Sequence, residues 1–282
     1  MPELPEVETV RRGLAPVLEG AVIKKAVTRR AGLRLPFPED FSTRLEGNCV
    51  ERLHRRSKYI LIECADGLMV ILHLGMSGRV TIYKAGLDAN GEVPEIGKHD
   101  HVSLITEKGD HILYNDPRRF GIITFTDIEE QNTHPLLKNI GPEPLGNNFN
   151  TDILIEGLKG KRSTIKALLL DQKLVAGLGN IYVCEILWRA GINPQRSGGS
   201  LSTKEATSLV PIIREVLTEA IAAGGSTLKD YAQTDGELGY FQHSFKAYGR
   251  GEEPCLQKKC GGTLERIVQS GRSTYFCPKC QR

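Results

Sequence analysis

Residues 59–83 read YILIECADGLMVILHLGMSGRVTIY: short runs of Ile, Leu, Val and Tyr parted by Ala-Asp-Gly and by Gly-Met-Ser-Gly. Each run is too short for a typical globular helix, is rich in β-formers, and is bounded by turn residues. That combination predicts strands joined by tight turns. The same grammar continues downstream in HVSLIT, HILYN and GIITFT, and from about Val22 to Thr126 the chain reads as an antiparallel β domain. A short helix around Glu39 to Leu45 interrupts it.

The chain begins MPELPEVETV. Pro5 suits a first helical position, Glu6 and Glu8 suit the positive end of the helix dipole, and Val7, Val10 and Leu14 share one face, so residues 3 to 14 read as a helix. Residues 132–150, rich in Pro, Gly and Asn, mark a domain boundary. After it the periodicity is helical: TDILIEGL with Thr151 as N-cap, STIKALLLD opening at Ser163, GNIYVCEILWRAG ending at Gly191, and a long segment opened by Ser202 and Glu205 at capping-box spacing and stopped by a glycine pair. Pro211 inside that last segment predicts either a kink or a boundary there. The tail from about Phe245 reads as short strands around cysteines.

A chain of 282 residues, 40% hydrophobic and 25% charged, has ample length for one or two folded domains. Its net charge of +3 is too small to argue for nucleic acid, but the charge is clustered. Arg52, His54, Arg55, Arg56 and Lys58 sit together, and from Arg250 to Arg282 there are seven Lys/Arg against three Glu. No apolar run reaches bilayer length and the amino terminus is charged, which excludes a secretory signal and predicts a cytoplasmic protein with reduced or metal-bound cysteines.

Cys255 and Cys260 are separated by four residues and Cys277 and Cys280 by two, a pattern that predicts one structural, tetrahedral Zn²⁺ on a hairpin. Four thiolates leave no open coordination position, and a tail this short needs the metal to stay folded. The local cationic excess favours a phosphate partner. Cys49, Cys64 and Cys184 lack paired spacing and read as core residues or inert thiols. Removal of Met1 before the small Pro2 would leave a secondary amine with a pKa of about 7.7–8.0, partly unprotonated near neutrality, beside a carboxylate, Glu3. Such an amine attacks an aldehyde-level carbon to form an iminium ion; the bland alternative is a frayed terminus. GLGN at 177–180 opens a helix with Asn180 in its first turn, a common anion site and an equally common helix start. Met76 in HLGMSG, and Arg118, Arg119 and Phe120 in NDPRRFG, are either wedge residues at loop tips or core.

Taken in order, MPELPEVETV, RRSKYILI, HLGMSG, NDPRRFG, GLGNIYVCE, GGSTLKDY and the cysteine tail resemble the bacterial formamidopyrimidine-DNA glycosylases, also called 8-oxoguanine DNA glycosylases, over essentially the whole chain. The resemblance implies an α+β fold in two domains. The first is an N-terminal antiparallel β-sandwich with flanking helices (1–131). After a linker (132–150) come a helix–two-turn–helix DNA-binding domain (151–244) and a four-cysteine zinc-finger β-hairpin (245–282). It implies a monomeric DNA repair enzyme, nucleoid-associated through its substrate, that excises 8-oxoguanine opposite cytosine and formamidopyrimidines from duplex DNA and cleaves abasic sites by β,δ-elimination. Pro2 matches the nucleophile, Glu3 the proton-transfer residue, and Glu8 a carboxylate near them. Lys58, Asn180 and Arg272 match groups that grip phosphates at the lesion, and His99 and Lys161 match further DNA contacts. Met76, Arg118 and Phe120 match the residues that fill the hole left by base flipping, and the segment from Gln233 to Phe241 is similar to a loop that closes over the extruded base. The first zinc knuckle departs from the family's two-residue spacing. Two alternatives stand beside this: an endonuclease VIII-type glycosylase for oxidised pyrimidines, separated by preference for thymine glycol, and a non-enzymatic zinc-ribbon nucleic-acid binder, separated by absence of a borohydride-trapped adduct.

Overall fold

Val7, Val10, Leu14 and Leu18 lie on one stripe of the helix α1 (Leu4–Leu18), and burying that stripe carries the helix a turn beyond the expected end, past Pro16. Pro16 is exposed, so the carbonyl its missing N–H leaves behind can turn to water. The computed structural model describes residues 2–88, 91–226 and 240–282. None of its helices is long and apolar enough to cross a membrane, among the described residues.

Two antiparallel four-stranded sheets share one core. The first has the order β2 (Val50–Arg56), β3 (Tyr59–Cys64), β4 (Leu68–His73), β8 (Ile122–Asp127); the second has β1 (Ile23–Thr28), β6 (Asp100–Thr106), β7 (His111–Asn115), β5 (Arg79–Tyr83). Ile60, Ile62, Val70 and Leu72 from the one sheet and Val80, Val102, Ile112 and Tyr114 from the other enter the same apolar cluster, joined by the α1 stripe and by Phe41 and Leu45 of α2 (Phe41–Leu45). The strands expected from the sequence are all present. β1 and β2, inside the region but not singled out, each carry a register shift, between Ile23 and Lys25 and between Val50 and Arg52. A bulge breaks the two-residue alternation, which is why neither strand announces itself.

The remaining elements are helices α3 (Thr151–Leu158), α4 (Ile165–Leu170), α5 (Asn180–Ala190) and α6 (Thr203–Ala222), and a hairpin of β9 (Glu265–Gln269) and β10 (Arg272–Phe276). The chain divides into two compact units, Met1–Lys138 with Ala223–Tyr240, and Asn139–Ala222 with Phe241–Arg282. In the second, α5 packs on α6, on α4 and on β10.

Several local expectations need correction. The cap of α3 is Asn150, whose side chain accepts the Ile153 N–H, and Thr151 is already helical. Thr164, not Ser163, caps α4 by accepting from the Ala167 N–H. In contrast, Gly191 ends α5 in the left-handed region at φ 68°, and Ser202 and Glu205 exchange bonds as a capping box. Helix α6 runs through Pro211 unbroken; Pro211 and Thr207, whose carbonyl would have been its acceptor, are both exposed. The basic cluster at 52–58 is not a free cationic patch. Arg52 and His54 reach Glu63 (3.2 and 3.1 Å), and Arg55 lies 3.4 Å from Glu8.

Candidate functional site

Pro2 and Glu3 are both buried where the chain enters α1. Glu3 is the N-cap residue, and its backbone N–H donates to Glu6 Oε2 at 2.8 Å. The other Glu6 oxygen accepts the backbone N–H (2.8 Å) and hydroxyl (3.0 Å) of Ser226, just beyond α6. Glu6 therefore holds the first residues in a fixed place, a role its position as a helix-start carboxylate did not reveal. Glu8 faces elsewhere. Burial raises its pKa, but bonds from Arg11 and Arg12 outweigh burial and hold the carboxyl below its ordinary value. A carboxylate committed to three arginines is a fastening and not a proton carrier.

Lys58 is buried on the turn joining β2 to β3, after Ser57 at φ 55°. It lies near His73, whose pKa is pushed down to about 4 by burial first and then by the charges of Lys58 and Arg34. The neutral imidazole accepts the Gly75 N–H on Nδ1 (3.0 Å) and so pins the turn that carries Met76. Gly75 has φ +65°, and a Cβ there would lie 2.4 Å from the Phe120 carbonyl carbon, so the HLGMSG and NDPRRFG turns touch backbone to backbone.

Asp116, wholly buried, organises that junction. Its carboxylate accepts the Ser77 hydroxyl (2.6 Å), the Gly121 N–H (2.8 Å) and, more weakly, the Tyr114 hydroxyl (3.4 Å). Its backbone N–H donates to the His99 carbonyl, and Ser77 also accepts the Arg118 N–H. The result brings His99, Met76, Arg118 and Phe120 to one place. Met76 is half-buried, Arg118 is exposed, and Phe120 is 43% exposed with the Arg118 guanidinium 5.0 Å from its ring centroid. They are tip residues and not core.

In the second unit, Asn180 is the first residue of α5, and its side-chain amide donates to the Ser273 carbonyl at 2.8 Å, beside Arg272 at the exposed start of β10. The amide nitrogen keeps a second hydrogen for another acceptor. Lys166, 1% exposed on α4, donates to the same carbonyl (3.2 Å) and to Thr274 Oγ1 (2.6 Å). A buried cation thus holds the strand that presents Arg272, another role without a sequence signal. Lys161 is exposed on the loop between α3 and α4, its backbone fastened to Gly199 by a 2.9 Å bond, beside an open concavity lined by Arg162, Ser197 and Ser200. The segment from Gln233 to Phe241 lies outside the described residues apart from Tyr240 and Phe241.

Cys255, Cys260, Cys277 and Cys280 place their sulfurs within 4.8 Å of one another. Two of the edges, Cys255–Cys280 at 3.7 Å and Cys260–Cys277 at 3.6 Å, suit a tetrahedron with ~2.3 Å Zn–S bonds, whose edge is ~3.8 Å. A Cβ on Gly262 would come within 2.9 Å of Cys277 Sγ, so the residue there must lack one. The donor set fits one structural zinc. Cys64 and Cys184 are buried and Cys49 half-buried; burial pushes the Cys64 thiol up to about 12, which makes it inert.

Three family models match the chain: the formamidopyrimidine-DNA glycosylase N-terminal domain over residues 1–123, the formamidopyrimidine-DNA glycosylase H2TH domain over 140–232, and a zinc finger found in FPG and IleRS over 252–282. The chain is 55% identical to a formamidopyrimidine-DNA glycosylase of Ruegeria pomeroyi and 57% to one of Cereibacter sphaeroides, with all of each chain covered. Among solved structures it is similar to the MutM (FPG) protein of Thermus thermophilus, at TM-score 0.86 and 40% identity over 99% of this chain and 98% of that one. It is also similar to a Lactococcus lactis FPG mutant in complex with Fapy-dG containing DNA, at TM-score 0.89 and 34% identity over the full length of both.

Proposed function

The chain belongs to the formamidopyrimidine-DNA glycosylases, bacterial DNA repair enzymes that remove oxidised purines, and from that premise we propose that it excises 8-oxoguanine opposite cytosine and cuts the resulting abasic site through its amino-terminal proline. The observation that carries the reading is the buried Pro2–Glu3 pair at the mouth of α1, its backbone tied to Glu6.

Once Met1 is removed, the Pro2 nitrogen lone pair attacks C1′ of the damaged nucleotide. The bond from C1′ to the base breaks, and the base departs with a proton. Glu3 gives a proton to the ring oxygen as the sugar opens, leaving an iminium ion on Pro2. A secondary amine has no N–H left to lose, so the charge stays and acidifies the C2′ hydrogen. Loss of that proton expels the 3′ phosphate; a second elimination expels the 5′ phosphate. Burial of Glu3 strengthens each of these proton transfers by excluding water.

Flipping the nucleotide out of the stack costs a few kcal/mol of unstacking. Met76 and Phe120 fill the vacated space, and Arg118, held over the Phe120 ring, reads the opposite base. Lys58, His99, Lys161, Asn180 and Arg272 grip the backbone and offset the rest of the cost. Similarity to a Lactococcus lactis FPG complexed with Fapy-dG containing DNA, and to another with an abasic site containing DNA, supports oxidised-purine and abasic-site DNA as substrates.

Borohydride trapping tests the chemistry. A duplex bearing 8-oxoguanine opposite cytosine should yield a covalent adduct at Pro2, and a preparation that retains Met1 should yield none. No adduct from zinc-loaded protein with a free Pro2 would return the chain to the class of non-catalytic binders. Faster cleavage of thymine glycol would instead move it to the pyrimidine-specific branch.

A further inference from the structure

Trp188 is the chain's single tryptophan; it is 7% exposed near the end of α5, with its indole Nε1 3.4 Å from Cys255 Sγ. We propose that Trp188 is a positioning residue of the zinc site, supplying to the Cys255 thiolate the N–H that its four-residue knuckle withholds.

The two knuckles differ in how they treat their leading sulfur. In the two-residue knuckle, the backbone N–H groups of Lys279 and Cys280 both point at Cys277 Sγ. In the four-residue knuckle, the Gln257 N–H reaches Cys255 Sγ from the backbone. The residue that corresponds to Cys280 is Cys260, and its N–H is spent on the Gln257 carbonyl at 3.0 Å, because the longer chain closes a turn of its own through Lys259 at φ 61°. The indole of Trp188 arrives from a helix almost seventy residues away and restores the second donor. The knuckle also grips the same residue in return: Gln257 Nε2 donates to the Trp188 carbonyl at 3.4 Å.

Four thiolates around one Zn²⁺ carry a net charge of −2 in a largely buried place. Each N–H directed at a sulfur spreads part of that charge, fixes the direction of the sulfur lone pairs and holds the ligand in place when the metal exchanges. The second knuckle has a further anchor. Gln281 accepts the Cys277 N–H (2.7 Å) and donates to the Ile192 carbonyl (2.9 Å), just past the end of α5. Both halves of the metal site are thus fastened to the carboxyl end of α5, the helix whose amino end carries Asn180.

The test is Trp188→Phe in the full-length zinc protein, which keeps a six-membered aromatic ring and removes the pyrrole half of the indole with its N–H donor. In competition with a chromophoric zinc chelator, the variant should give up Zn²⁺ about tenfold more readily. In the Co²⁺-substituted forms, the sulfur-to-metal charge-transfer band should move to lower energy in the variant, since a sulfur without its donor is easier to oxidise. A general loosening of packing would not move that band. Tryptophan emission of the unmodified protein should be quenched when Co²⁺ replaces Zn²⁺. Equal zinc retention together with an unmoved charge-transfer band in a variant of native circular dichroism would overturn the assignment; so would tryptophan emission indifferent to Co²⁺.

Discussion

Asp116 shows how one side chain can set a site that it never enters. Its two oxygens collect donors from Ser77, Gly121 and Tyr114, and they do so where two loop tips meet. Replacing Asp116→Asn keeps the shape but turns one acceptor into a donor that faces other donors. Leaving such a buried group unmatched costs about 1–3 kcal/mol. We expect the variant to lose a comparable amount of stability in urea titration and to excise 8-oxoguanine tens of times more slowly, while binding undamaged duplex as before, because the bond from Asp116 to His99 runs through the backbone N–H, which the substitution leaves in place. Unaltered excision would show that the loop tips do not need this clamp. At this scale the sequence was legible in part. Motif by motif it named Pro2, Glu3, Lys58, Met76, Arg118, Phe120 and the four cysteines, since each lies in a recognisable short string. It gave Glu6 only as a helix-start carboxylate and said nothing of Asp116, Lys166 or Trp188. The partners of these four lie elsewhere in the chain, from Ser77 to Thr274, and only the fold brings them together.

Helices and strands obey local rules until burial overrules them. Helix α6 carries Pro211 on its exposed side and remains a single helix of 20 residues, because Leu209, Val210, Ile213, Val216 and Leu217 bury its other side. An interior proline still forfeits a hydrogen bond and strains the preceding turn. Pro211→Ala should therefore raise stability by roughly 1–3 kcal/mol, read as a higher thermal midpoint of the zinc-loaded protein. A lower midpoint would mean that the proline fits a bend the packing requires. The same competition explains what the sequence pattern could and could not deliver. Strands β3 to β8 keep their alternation or their apolar runs and are visible. β1 and β2 are bulged, so that Ile23 and Ala26, or Val50 and Leu53, face the core at a three-residue spacing that imitates a helix. Caps are displaced by a single residue, as at Asn150 and Thr164, because Asn, Ser and Thr are all competent and the local geometry chooses among neighbours.

The β-sandwich of the first unit and the cysteine hairpin of the second are held together by different means. The first has a β-sandwich core of some two dozen buried side chains; the cysteine hairpin of the second clusters Ala247, Leu264, Cys255, Cys260 and Cys277 around the Trp188 ring and depends on metal. Removing Zn²⁺ with a strong chelator should abolish duplex binding by releasing Arg272 and the hairpin, and leave the far-UV signature of the β-sandwich in place. Binding that survives complete demetallation would mean that the hairpin is not needed to hold DNA. The division of the chain has one more effect. The first unit is not a single stretch: Ser226, which gives Glu6 two of its bonds, is made more than two hundred residues after it. A ribosome that has released the whole sandwich has not yet released the partner that fixes the nascent enzyme's leading end. At ~5–20 residues per second, that end waits through several seconds of further synthesis. The proposed chemistry requires Met1 to be removed, and through this interval Glu6 lacks the two Ser226 bonds that hold the terminus in the finished fold.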